Sequence, residues 1–238
     1  MIRVIVDSTC DFTLEEAESL GVKVVPLNTN IDGKDYKDRV DLTPEEFYTL
    51  LENAQSFPKT SQPSPEDFIN VYKPYVENKD EIIVFCVSSK LSGTCQSALL
   101  AKDIIEYENI HVVDALTGSH AGRLIVEKAL AEINKGKSFE EVVAVIEEYK
   151  GRTRLYAVVD TLEYLQKGGR VSMTSAFVGS LLKFKPILKV IDGKLEAIDK
   201  KRGMKKAIDA MMEQIKTEDI DFNEPARIAY SGNNVDMS

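Results

Sequence analysis

The sequence predicts an α/β protein of two domains: a parallel α/β sheet domain over residues 1–150, and an α+β domain with a mainly antiparallel sheet over residues 151–238. Three observations predict it. Up to about residue 150, β-branched runs alternate with amphipathic helical patterns, which lays strands side by side in a parallel sheet with helices on both faces. After Gly151 the alternation stops, and two apolar runs flank Asp192-Gly193, a dipeptide suited to the tight turn of an antiparallel hairpin. The 238 residues suffice for two modest hydrophobic cores.

The elements follow in order. "IRVIVDS" (2–8) is a continuous β-branched run, as a strand buried on both faces requires. "DFTLEEAESLG" (11–21) reads as helix, with Thr13 as cap, acids in the first turn and Gly21 as terminator. "VKVVPLNTNI" (22–31) reads as one strand and "DGKDYKDRVDL" (32–42) as a polar excursion. Thr43-Pro44 and Ser64-Pro65 each place a capping hydroxyl before a proline that tolerates the first helical position, so two helices start there. "EIIVFCV" (81–87) and "IHVVDAL" (110–116) are further buried strands. A helix follows each, and "SFEEVVAVIEEYKG" (138–151) forms another. In the second half, "RLYAVVDTL" (154–162) is a strand, "SAFVGSLLKF" (175–184) an apolar helix, residues 185–200 the hairpin, "MKKAIDAMMEQIK" (204–216) a helix, and "ARIAYSG" (226–232) a last strand.

Composition excludes several functions. Hydrophobic residues make up 43% and charged residues 29%, with a formal net charge of −9. An acidic chain whose basic residues gather only in "KKRGMKK" (200–206) lacks the cationic face that phosphate backbones need, so no nucleic-acid partner is expected. Cys10, Cys86 and Cys95 form no C-x-x-C pair, and only His111 and His120 could join them, so no metal is expected. The amino terminus turns polar too soon for a signal peptide, and no apolar run reaches membrane-spanning length. The expectation is a cytoplasmic protein without stable membrane insertion. G-x-G-x-x-G, G-x-x-x-x-G-K-[ST], G-x-S-x-G and H-E-x-x-H are all absent.

Chemistry concentrates where strands hand over to helices, since parallel sheets bind ligands at the carboxyl ends of their strands. In "VSSKLSGTCQSALL" (87–100), Ser92, Gly93 and Thr94 stand at such a junction. Helix capping explains each hydroxyl singly. Together with Gly93, which lets a ligand approach the backbone, they also fit a carboxylate or phosphate at a helix start. "PKTSQPSPEDF" (58–68) is a second candidate: a capped helix entry accounts for Ser64-Pro65 but leaves Thr60, Ser61 and Gln62 without a role. In "EYLQKGGRVS" (163–172), two glycines precede Arg170, whose guanidinium suits a carboxylate or phosphate, or equally a salt bridge.

Taken together, "VDSTCDF", "KTSQPSPEDF", "VSSKLSGTCQSA", "VVDTLEYLQKGGRVS" and "LLKFKPILKVIDGKLEAIDKKRGMKKAI" resemble the DegV family of bacterial fatty acid-binding proteins, in the family's order and over almost the whole chain. The resemblance implies a DegV-like two-domain fold with a long-chain fatty acid buried between or beneath the domains. Its carboxylate would be held at Thr60, with Ser61 beside it, and at Ser92 and Gly93. Arg170 would lie near the head group, where the phosphorylated product is handled. It further implies a carrier rather than an enzyme, needing no cofactor. A separate fatty acid kinase would convert the presented acid to an acyl phosphate for phospholipid synthesis. The apolar residues 175–188 could line the acyl tunnel such a ligand needs, and equally fit ordinary core. The family pattern also includes an H-x-G-P-G segment near the carboxyl terminus, whose His contacts the carboxylate. This sequence ends at "GNNVDMS" without it, so the expectation is a truncated or divergent member. Two alternatives stand beside the carrier: an enzyme acting on a small acyl or phosphorylated substrate with Ser92 as nucleophile, and a remnant that binds nothing.

Overall fold

The structure is a computed structural model that describes residues 1–171 and 183–231. The chain divides into two compact units, Met1–Thr153 together with the segment from Arg227, and Arg154–Ala226.

The centre of the first unit is a four-stranded parallel sheet in the order β2-β1-β6-β7. Its strands are β1 (Ile2–Asp7), β2 (Val22–Val25), β6 (Glu81–Cys86) and β7 (Ile110–Asp114). Side chains alternate across a strand, so β1 feeds two cores. Val4 and Val6 pack with Phe85, Ala17, Ile125, Val126, Val142 and Ile146, which lie on β6 and on helices α1 (Leu14–Ser19), α5 (Ser119–Asn134) and α6 (Phe139–Arg152). Ile5 packs on the other face with Val84, Phe68, Tyr72, Ala98 and Ala101, the last four from α3 (Pro65–Glu77) and α4 (Thr94–Ile105). Phe68 and Tyr72 are fully buried; truncating a ring of this kind to Ala costs about 3–5 kcal/mol.

A second sheet in this unit is antiparallel, β4-β3-β5, from β3 (Asn28–Ile31), β4 (Lys34–Lys37) and β5 (Lys59–Ser61). Two expectations are corrected here. Residues 22–31 are not one strand: the chain breaks at Pro26, which has no N–H for a ladder, and β2 and β3 belong to different sheets. The excursion at 32–42 contains β4, joined to β3 through Asp32 (φ 50°) and Gly33 (φ 83°), both left-handed as a tight hairpin turn requires. Helix α2 (Pro44–Asn53) follows.

The second unit carries an antiparallel sheet, β10-β9-β8, with β8 (Tyr156–Val158), β9 (Phe184–Ile191) and β10 (Lys194–Arg202). The β9–β10 hairpin turns at Asp192 (φ 48°) and Gly193 (φ 79°), as the dipeptide predicts. Leu162 and Leu188 centre its core, with Ala157, Val159, Leu165 and Leu195 packed around them. Helices α7 (Glu163–Lys167) and α8 (Met204–Ile215) complete it. The architecture is thus α/β, with a parallel four-stranded sheet and separate antiparallel sheets. Of the apolar stretch at 175–188, residues 175–182 lie outside the described residues, while Phe184 to Leu188 belong to β9. The strand expected at "ARIAYSG" does not form over Ala226–Ser231. No ladder partner meets it among the described residues, and Ile228 and Tyr230 are exposed by 84% and 66%.

Candidate functional site

Strand β6 delivers the chain to Val87 at the carboxyl edge of the parallel sheet, and the next six residues make one tight loop around Ser88. The Ser88 carbonyl accepts from Leu91 N at 2.9 Å and Ser92 N at 3.1 Å, and its hydroxyl accepts from Lys90 N at 3.2 Å. Three neighbours pin the loop. Asp7, at the end of β1, accepts from Val87 N at 2.7 Å; Asp114, at the end of β7, accepts from Ser89 N at 3.0 Å; and the Thr117 carbonyl accepts from Ser88 N at 2.9 Å. Asp7 is fully buried, and despite further bonds from Thr9 its carboxyl is pushed up to about 6 by the loss of solvent.

The loop ends at Gly93, the N-cap of α4. The caps divide the helices of this unit into two kinds. Helices α1, α2, α3 and α6 each start with a capping box, in which Thr13, Thr43, Ser64 and Ser138 bond reciprocally with Glu16, Glu46, Asp67 and Glu141. Helices α4 and α5 start at Gly93 and Gly118 with no side-chain cap. The start of α5 faces a carboxylate from elsewhere in the chain. Asp11 Oδ2 accepts from Ser119 Oγ at 2.6 Å and lies 3.4 Å from His120 Nδ1, while Asp11 Oδ1 pairs with Arg39 at 2.5 Å. At the start of α4 the nearest polar groups are hydroxyls: Ser92 Oγ shares a hydrogen bond with Thr94 Oγ1 at 2.9 Å and accepts from Thr94 N at 3.3 Å. Ser92 and Gly93 are half-buried, Thr94 buried. Hydroxyls beside a helix start suit an oxyanion, because N–H groups and the helix dipole both favour negative charge there.

Thr60 and Ser61 lie on β5, exposed, opposite Thr29 and Asn28 of β3. They meet the α4 start through the next residue. The Gln62 amide lies over Gly93, where a Cβ would come within 2.1 Å of Gln62 Oε1, and its Nε2 donates to the buried Ser97 Oγ on α4 at 3.2 Å. Gln62 therefore joins two segments that are separate in sequence, a contact that sequence reasoning missed. Arg170 belongs to the second unit, where it is exposed and its Nη1 donates to the Gly168 carbonyl at 2.6 Å. Gly169, at φ 73°, supplies the left-handed turn before it.

Among the described residues neither histidine pairs with Ser92. His111 Nε2 faces Glu147 at 3.2 Å, and His120 faces Asp11. Among the described residues no cluster of His, Cys, Asp and Glu has the makings of a metal site, and no helix is long and apolar enough to cross a membrane.

A family model described as "Uncharacterised protein, DegV family" matches residues 1–237. A DegV domain-containing protein of Caldanaerobacter subterraneus subsp. tengcongensis is 41% identical over 223 residues, 94% of this chain and 79% of that protein. A DegV family protein from Thermus thermophilus, whose structure is described by its fatty acid binding, superposes with a TM-score of 0.81 at 39% identity, over 90% of this chain and 76% of that one. The Fatty Acid Kinase (Fak) B3 protein of Streptococcus pneumoniae, loaded with linoleic acid, superposes with a TM-score of 0.79 at 29% identity, over 91% and 78%. This chain belongs to the DegV family.

Proposed function

We propose that this chain binds one long-chain fatty acid, its carboxylate seated at the start of α4 against Ser92 and Gly93, with Thr60 and Ser61 facing it from β5. As a cytoplasmic carrier, it presents that carboxylate to a fatty acid kinase, which makes the acyl phosphate used in phospholipid synthesis. The observation that carries this reading is the start of α4: a helix without a side-chain cap, ringed by hydroxyls and adjoining the Thr60-Ser61 strand through Gln62. The names of the Thermus and Streptococcus neighbours, one of them loaded with linoleic acid, support it.

The energetics divide the work. Burying an acyl chain contributes about 0.8 kcal/mol per methylene, roughly 12 kcal/mol gross for about fifteen methylenes. Each hydrogen bond to the charged head group adds about 1.5–3 kcal/mol. The chain thus dominates affinity, and the hydroxyls fix which oxygens point outward. Phosphoryl transfer then needs only an exposed carboxylate oxygen as nucleophile, and the kinase brings the phosphoryl donor.

Mass spectrometry of the organic extract of freshly purified protein tests the binding role. The expected result is one long-chain fatty acid per chain. Purified protein that holds no lipid and takes up no added linoleic acid overturns it. Adding a fatty acid kinase and ATP to loaded protein is expected to yield acyl phosphate, and no yield removes the presentation role while leaving the binding role intact.

A further inference from the structure

The segment that capping left unexplained contains Gln62, and its placement gives it a task. Gln62 follows the last residue of β5 and stands three residues before α3. Its backbone is tethered to the antiparallel sheet, while its amide reaches across to α4, 35 positions on at Ser97. There Nε2 donates to a buried hydroxyl on the helix, and the amide covers the Gly93 Cα so closely that a methyl group would stand 2.1, 2.6 and 2.7 Å from Oε1, Cδ and Nε2. A Cβ at 93 would displace that amide, whereas the backbone at φ −79° would accept one, so the bare Cα matters here for the contact and not for the backbone. The residue pair therefore works as a latch whose catch is the missing side chain.

We propose that Gln62 is a positioning residue: its side chain clamps the end of β5 onto the first turn of α4 and so sets the spacing between the Thr60-Ser61 hydroxyls and the Ser92-Gly93 helix start. The inference rests on the fatty acid reading of that site. A carboxylate bound from two sides depends on this spacing, whereas an acyl chain does not. The clamp thus governs head-group affinity and leaves chain affinity alone. Gln62 itself is exposed, so removing its side chain opens no core.

Linoleic acid and linoleyl alcohol, titrated onto delipidated full-length protein, separate the two. Gln62→Ala is expected to weaken linoleic acid about tenfold and the alcohol less than about twofold, with no loss of melting temperature. Gly93→Ala, which evicts the flexible amide, is expected to do the same, and the double variant to be no worse than either single one, since both break one latch. Ser97→Ala, at a buried hydroxyl under the clamp, is expected to weaken the acid in the same direction. A Gln62→Ala protein that binds the acid normally overturns the clamp, as do equal losses for acid and alcohol, or additive effects of the two substitutions. A silent Ser97→Ala beside a damaging Gln62→Ala also overturns it, in favour of direct contact between Gln62 and the ligand. Wild-type protein that binds neither compound overturns the fatty acid reading itself, a distinguishable failure.

Discussion

Helices α6 and α4 flank opposite faces of the same parallel sheet, and they begin in opposite ways. At α6, Ser138 and Glu141 exchange hydrogen bonds, and nothing is left for a ligand to do. At α4 the N-cap is Gly93, the cap bond is missing, and its place is held loosely by the Ser92 hydroxyl at 3.3 Å and an amide reaching over from Gln62. Both helices bury apolar faces, Val142 and Ile146 for one and Ala98 and Ala101 for the other. The difference lies only in the first turn. A capping box adds stability locally. An uncapped start in a well-packed helix gives up that stability and leaves donors available to an anion, and α5 shows a third solution, in which Asp11 from a distant loop supplies the charge. Among the described helices of this unit, α4 alone has neither a capping box nor a carboxylate at its start.

The largest effect expected concerns what holds the α4 loop from behind. Asp7 sits under Val87 with its folded value near 6 against an ordinary 3.8. A raised carboxyl favours the folded state while it is protonated. That contribution is complete below the ordinary value and is lost as pH rises through about 6. A shift of this size amounts to about 3 kcal/mol. The largely buried Asp38, also raised by burial, acts in the same direction. Glu16, held down to about 2 chiefly by its bonds to Arg123, acts the other way: its contribution is complete well above its ordinary 4.5 and is lost as pH falls below that value. Urea unfolding from pH 7 to pH 5, above the range in which Glu16 titrates, should therefore show rising stability, and Asp7→Asn should flatten the rise. An unaltered slope in the variant would mean that Asp7 is not the group responsible.

Ser92→Ala tests the uncapped start directly. Its hydroxyl is half-buried and its bond to the backbone is long, so stability should change by less than about 1 kcal/mol. Linoleic acid affinity should fall at least about tenfold, the worth of one hydrogen bond to a charged group. The opposite pattern, a less stable protein with intact affinity, would make Ser92 an ordinary cap and erase the contrast with α6.

Asp11→Asn addresses the third kind of start. Asn tolerates the left-handed backbone of Asp11 (φ 59°), so the substitution leaves the backbone unstrained and removes the charge and one of the two acceptor oxygens that Arg39 and Ser119 use. Loss of the Arg39 pair and of a negative charge at the α5 amino end should cost about 1–2 kcal/mol in urea unfolding. A change below about 0.5 kcal/mol would show that α5 needs no anion at its start.

These contrasts were unequally legible in the sequence. The capped starts were readable because a hydroxyl and an acid three residues apart belong to one turn: Thr13 with Glu16, Thr43 with Glu46. Asp192-Gly193 was readable for the same local reason. Pro26 gives no local sign that one apolar run becomes two strands in different sheets, and Asp32-Gly33 is hard to see as a hairpin turn because the strands it joins are short and polar. Residues 226–231 have strand composition, but a strand exists only with a partner, which composition cannot supply. For the candidate site, the serines and threonines of both motifs stand out as clusters. Their meeting through Gln62, Gly93 and Ser97 depends on tertiary approach over some thirty residues, which no local pattern encodes.

The smallest effect is the control that gives the comparison its force. Ser138→Ala removes the hydroxyl that accepts from Glu141 N at 3.3 Å and frees the first turn of α6, at a cost of about 1 kcal/mol. Helix α6 packs on the face of the sheet opposite α4, so the head-group site keeps its geometry and linoleic acid affinity should stay within about twofold of wild type. Paired with Ser92→Ala, this makes a crossed design: one hydroxyl whose loss moves stability without binding, and one whose loss moves binding without stability. If Ser138→Ala also weakened binding, the site would be responding to global stability, and the Ser92 result would lose its meaning. If it does not, the two first turns differ in kind, and the missing cap at Gly93 marks a ligand site that ordinary folding leaves unfilled.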